Sequence, residues 1–130
     1  MDKIINYINE GNYFIVTSHV NPDGDNIGST LAMYYYLKSL DKDVYYVLDD
    51  DTPINLKFLL KDIEILSSEE FINLNIEQYN LIALDCGDLN RICIDKNRRN
   101  SSLFRYKFNL FLSICYNLNL PIQRDFNVLQ

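Results

Sequence analysis

His19, Asp23 and Asp25 fall within seven residues, in the run Ser18-His19-Val20-Asn21-Pro22-Asp23-Gly24-Asp25-Asn26-Ile27-Gly28-Ser29. The spacing His-x-x-x-Asp-x-Asp gathers one imidazole and two carboxylates into a single loop. Divalent ions such as Mn²⁺ accept that mixture of nitrogen and oxygen donors. Asp85 adds a third carboxylate, directly after the apolar run Tyr79 to Leu84. One carboxylate bridging two metals, with others beside it, is the usual arrangement for two-metal phosphoryl chemistry. A plainer reading also stands. Asn21-Pro22-Asp23-Gly24 is a strong β-turn sequence, and Asp25 or Asn26 can serve as a helix cap. The position of the chain's only histidine, just before that turn, favours the metal reading.

The elements that must position these residues follow from the pattern. Ile4, Ile5 and Ile8 share a helical face over residues 2–10, and Gly11 supplies a stop. Tyr13 to Thr17 is β-branched and aromatic, the composition of a buried strand. A helix is expected from Asp25 or Asn26 to Leu40, then a strand over Val44 to Leu48. Asp49-Asp50-Asp51-Thr52 can cap a helix with Pro53 at its first position, running to Leu60. Ile63 to Leu66 reads as a short strand, Ser67 to Glu70 as a helical turn, and Tyr79 to Leu84 as a fourth strand. Strands alternating with helices predict an α/β fold: a parallel sheet with flanking helices. Sites in such sheets form beyond the carboxyl ends of the strands. His19 and Asp85 each come just after one. The free N–H groups of the helix that follows His19 would favour a phosphate. Gly24 and Gly28 are expected to allow tight turning and close backbone approach.

The 130 residues fit one domain, with a formal charge of −6. An acidic surface repels nucleic acid unless metals or a local basic patch intervene. Three cysteines (Cys86, Cys93, Cys115) without zinc-type spacing argue against a disulfide scaffold and for a cytoplasmic location. The N-terminus lacks a signal-peptide pattern, and residues 103–120 are too interrupted by charge to span a membrane. The charge is unevenly placed. Residues 1–90 carry five lysines against sixteen acidic residues, a balance of −11. Residues 91–130 carry seven basic residues against two acidic ones, a balance of +5, and hold no glycine.

The run from Ser18 to Ser29 resembles the first motif of the DHH phosphoesterase family. The nearer match is the branch of bacterial oligoribonucleases that also act on 3′-phosphoadenosine-5′-phosphate (pAp). Leu81-Ile82-Ala83-Leu84-Asp85-Cys86-Gly87-Asp88-Leu89-Asn90-Arg91 resembles the second motif, and Asp50-Asp51-Thr52-Pro53 with Phe58-Leu59 the segment between. The likeness covers residues 1–92. It implies two Mn²⁺ ions and hydrolysis of phosphate esters by a metal-activated water. His19 and Asp23 would hold the first metal, Asp25 the second, and Asp85 would bridge them. Asp25 and Asp85 are thereby the expected catalytic carboxylates. Implied partners are short RNA oligonucleotides or phosphorylated nucleotides, without a membrane, in a chain able to pair as a homodimer. A cyclic-dinucleotide phosphodiesterase is the alternative within the family. A non-catalytic fragment or binding module is the alternative outside it.

The family's Asp-His-His motif needs two further histidines, and this sequence has only His19. The expected organisation is therefore an incomplete DHH-type domain over residues 1–91. Residues 92–130 are read as a divergent basic tail, out of frame or disordered. Other candidates carry bland readings. Cys86 is expected as a buried thiol, and Tyr34-Tyr35-Tyr36 as core and helix flank. Asp49 to Asp51 reads as a solvated cap, with a metal-facing loop as the alternative. Asp88, Asn90 and Arg91 read as loop braces. Arg98-Arg99 reads as exposed charge, and Asp95 and Asp125 as solvated surface residues.

Overall fold

Strand-forming residues recur at the expected intervals, and in the computed structural model they build one parallel sheet. The structure describes residues 2–76, 79–87 and 89–94. The strands are β1 (Tyr13–Thr17), β2 (Asp43–Val47), β3 (Ile65–Leu66) and β4 (Asn80–Ala83), ordered β3-β2-β1-β4. The described helices are α1 (Asp2–Glu10), α2 (Gly24–Ser39) and α3 (Ser68–Asn73), with 3₁₀ turns at Ile54–Leu60 and Leu89–Arg91. This is the α/β class that the alternation predicts.

Successive strand residues face opposite sides of the sheet, and both sides are covered. Phe14, Val16, Val44, Tyr46, Ile82 and Leu84 pack with Ile8 of α1 and Ile27, Leu31 and Leu37 of α2. On the other side Ile15, Val47, Leu81 and Ala83 pack with Phe71 of α3, Tyr79, Ile92 and Ile94. Burial on both faces explains why β1 and β4 read as continuous apolar runs.

Three expected boundaries move. α2 starts at Gly24, capped by Asp23 rather than by Asp25 or Asn26. Asp23 is extended at φ −121°, and its carbonyl already accepts the Ile27 N–H at 3.0 Å, so the helix begins one residue early. The expected helix after Pro53 is a 3₁₀ helix, Ile54–Leu60, with no side-chain cap. The Asp49 and Asp50 carboxylates that were to cap it are engaged elsewhere. Ile63 closes that turn by donating to Leu60 O, which leaves β3 only two residues. α3 is better capped than the sequence suggested. Ser67 and Glu70 form a reciprocal capping box, and those hydrogen bonds lower the Glu70 carboxyl below its ordinary range.

Ile92, Cys93 and Ile94 are buried. The change of charge near residue 91 therefore does not coincide with the end of packing. Asp88 and residues 95–130, with Arg98 and Arg99, lie outside the described residues. Among the described residues no helix is long and apolar enough to cross a membrane.

Gly11 marks a tight contact at the start of β1. A Cβ there would lie 2.5 Å from both Phe14 Cζ and Asn80 Nδ2. The Asn80 amide can swing away, but the Phe14 ring is fully buried. Gly11→Ala is expected to cost about 1–3 kcal/mol, as overpacking usually does. A urea midpoint equal to that of the unaltered chain would contradict this.

Candidate metal centre

The sheet order places the site. The chain leaves β1 for β2 on one side, whereas β4 lies on the other. The carboxyl ends of β1 and β4 therefore flank the point where the winding reverses, the usual place for ligands in open parallel sheets. Thr17 pairs with Ala83, and the Leu84 N–H donates to Thr17 O at 2.9 Å. Beyond that bond the strands separate, and His19 and Asp85 face each other.

His19 Nε2 lies 3.3 Å from Asp85 Oδ2 and 3.9 Å from Asp23 Oδ2. One donor atom from each of the three residues falls within 4.8 Å of the others. The imidazole is buried, at 7% exposure, while Asp23 is open to solvent and Asp85 half-buried. His19 Nδ1 lies 2.7 Å from Val20 O. A carbonyl only accepts, so Nδ1 carries the proton and Nε2 is left facing the carboxylates. Metal-ligating histidines are commonly oriented this way. The donor set thus suits a divalent cation: an imidazole nitrogen, two carboxylate oxygens and access from solvent. Asp25 is outside this trio and sits exposed in the first turn of α2.

Asp23 performs two tasks with one carboxylate. Oδ1 accepts the Asn26 N–H at 3.0 Å and caps α2, while Oδ2 faces His19. The turn-and-cap reading and the metal reading of this loop are therefore compatible. Asp85 is held in the left-handed region at φ 54°. Such conformations persist where surrounding structure enforces them, often at ligand sites.

The turning role expected of the motif's glycines falls to another residue. No described glycine has positive φ, and the loop's left-handed residue is Asn21, at φ 54°. Its N–H donates to Asp50 Oδ2 at 2.8 Å. Nothing lies within 4 Å of a Cβ placed on Gly24 or Gly28. These glycines leave open surface around the first turn of α2, where a phosphate could approach the helix N-terminus.

The loop is also gripped from the side. Residues 18–20 pair antiparallel with residues 91–93: Val20 N–H donates to Arg91 O and Cys93 N–H to Ser18 O, both at 2.7 Å. Cys93 then joins a third loop. Its carbonyl accepts the Asp49 N–H at 3.2 Å and its Sγ the Asp50 N–H at 3.3 Å. Burial pushes the Cys93 thiol up to about 11, so it stays protonated. Asp49 takes both the N–H and the hydroxyl of Ser68, at 2.8 and 2.7 Å, and so anchors α3. Asp49 and Asp50 are thus neither a cap for the 3₁₀ helix nor members of the metal trio. Arg91 acts as a brace through its carbonyl. Sequence reasoning missed Cys93 and Asp50 as supports because their partners are distant in the chain. A hollow of about 900 Å³ lies at the opposite end of the strands, beside Tyr7, Gly11 and Tyr79. Among the described residues it holds no cluster of metal-binding side chains.

A family model described as the DHH family, N-terminal domain, matches residues 13–104. The chain belongs to the DHH family. The match continues past the change of charge near residue 91. A bifunctional oligoribonuclease and PAP phosphatase NrnA from Thermus thermophilus is 41% identical over 83 residues, which is 64% of this chain and 24% of the relative. The crystal structure of an exopolyphosphatase-related protein from Bacteroides fragilis superposes with a TM-score of 0.70 at 26% identity, covering 91% of this chain and 34% of that one. The chain thus spans about a quarter of the relative and a third of the structural neighbour.

Proposed function

We propose that this chain supplies the first metal-ligand set of a Mn²⁺-dependent phosphoesterase acting on short oligoribonucleotides and pAp. The carrying observation is the convergence of His19, Asp23 and Asp85 donor atoms within 4.8 Å at the reversal point of the sheet. The relative named for oligoribonuclease and PAP phosphatase activity supports the substrate class. His19 and Asp23 would hold one metal together with Asp85, and Asp25 would serve a second ion. Bound metal of this kind lowers the pKa of water and polarises a phosphoryl oxygen. The residues themselves orient. Val20 O fixes the imidazole, the Asn26 N–H fixes Asp23, and the first turn of α2 offers N–H groups to a phosphate.

Within these 130 residues the single histidine leaves the Asp-His-His motif unfilled, so here the second ion would have only Asp25 and Asp85. The 130-residue chain is expected to bind Mn²⁺ calorimetrically and to lose that binding in Asp23→Ala. Phosphate release from pAp and mononucleotide release from a dinucleotide are expected at background. Absence of Mn²⁺ binding would overturn the metal assignment. Turnover above background would overturn the need for the missing histidines. Turnover of a cyclic dinucleotide above background in the same assay, with none of pAp, would overturn the substrate class.

A further inference from the structure

We propose that Asn26 is the positioning residue of this metal centre, setting His19 and Asp23 relative to each other. The inference rests on the metal reading given above. Asn26 is completely buried in the first turn of α2. Its main-chain N–H donates to Asp23 Oδ1 at 3.0 Å. Its side-chain Nδ2 reaches His19 O at 3.4 Å. One residue therefore touches the loop at both ligands, from beneath.

The peptide it holds is central to the imidazole's aim. His19 O belongs to the peptide unit whose N–H, on Val20, donates to Arg91 O at 2.7 Å. That unit is thus fixed at both ends, and the next carbonyl, Val20 O, takes the imidazole Nδ1. A shift of the His19 carbonyl would turn the ring.

A purely structural role would not call for an amide here. Asn26 Oδ1 is buried and has no hydrogen-bond partner among the described residues. An unpaired buried acceptor is destabilising, and an apolar side chain of similar size would avoid it. Asn is also a mediocre residue for a helix interior. Its helix neighbours Ile27 and Leu31 belong to the apolar cluster. The Asn26 amide meets the metal loop through its bond to His19 O. The hydroxyls of Ser18, Thr30 and Tyr46 lie together in the same buried layer, and Thr30 Oγ1 donates to Asn26 O at 2.8 Å. The Thr30 bond holds the Asn26 carbonyl.

The test compares the full chain with Asn26→Leu and, should leucine prevent folding, with Asn26→Ala. Mn²⁺ affinity is measured by titration calorimetry. The ring signals of the chain's only histidine are followed by NMR in metal-free protein at one fixed pH. The expected result is a folded variant with Mn²⁺ affinity reduced about tenfold or more, the range found for residues that orient metal ligands. The sharp single set of His19 ring signals should broaden or split. Unchanged affinity with unchanged ring signals would overturn the proposal. If the unaltered chain takes up no Mn²⁺, the metal reading fails. The NMR comparison then decides by itself whether Asn26 fixes the ring.

Discussion

Asp85→Asn is expected to leave the chain folded while weakening Mn²⁺ binding by more than the roughly 10–100-fold seen when a supporting residue is lost. The substitution keeps the shape of the side chain and removes its charge. Asn tolerates the left-handed backbone that Asp85 adopts at φ 54°, so no new strain enters. Without a cation, Asp23 and Asp85 place two like charges on one imidazole, with donor atoms within 4.8 Å. Removing one of them relieves repulsion. The metal-free melting temperature should therefore hold or rise even as metal affinity collapses, the usual relation between a binding site and stability. Calorimetry and thermal denaturation of the same preparation check both halves. Retained affinity would remove Asp85 from the ligand set.

Phe14→Ala should do the reverse. Phe14 is fully buried at the centre of the sheet and meets the Tyr7 ring edge-on, with centroids 6.3 Å apart. Truncating such a residue costs about 3–5 kcal/mol. Domains of this size are stable by only about 5–15 kcal/mol. Urea denaturation should show a midpoint lowered by about a fifth or more. The ligands themselves are untouched, so Mn²⁺ should still bind the folded fraction. At a hundredfold excess over Kd, a ligand specific to the folded state adds about 2.7 kcal/mol. Mn²⁺ is thus expected to restore much of the stability of Phe14→Ala and to leave that of Asp85→Asn nearly unchanged, since the latter binds it far more weakly. Equal rescue of both variants would show that the ion acts elsewhere.

The sequence made the sheet and the two loop ends legible for a simple reason. Strands buried on both sides are continuous apolar runs, and the ligands follow directly after them. Asp23 and His19 are also local to each other, so spacing alone brings them together. The less legible features depend on partners far along the chain. Asp50 seemed a helix cap because the residues after it include Pro53. In fact its carboxylate holds Asn21, twenty-nine residues earlier. Cys93, named in the sequence only as one of three cysteines without zinc-type spacing, joins three loops. Gly24 looked like the turn-maker because glycine tolerates positive φ, but Asn21 adopts that conformation. Asn26 gave a signal that went unused: an amide in a helix whose neighbours Ile27 and Leu31 face the core.

The antiparallel bridge between His19 and Ile92 bears on the order in which the molecule comes together. A chain made from its N-terminus exposes His19 and Asp23 early, on a loop held only by its local contacts with Asn26. Asp85 arrives only with β4, and the clasp on residues 18–20 requires Arg91 and Cys93. Contacts this distant close slowly, because a long loop must be ordered before any of them forms. For most of synthesis the early ligands are therefore a pair of solvated side chains. An ion captured at full affinity marks the end of assembly rather than its nucleus, and a nascent chain stalled before Cys93 should be unable to retain one.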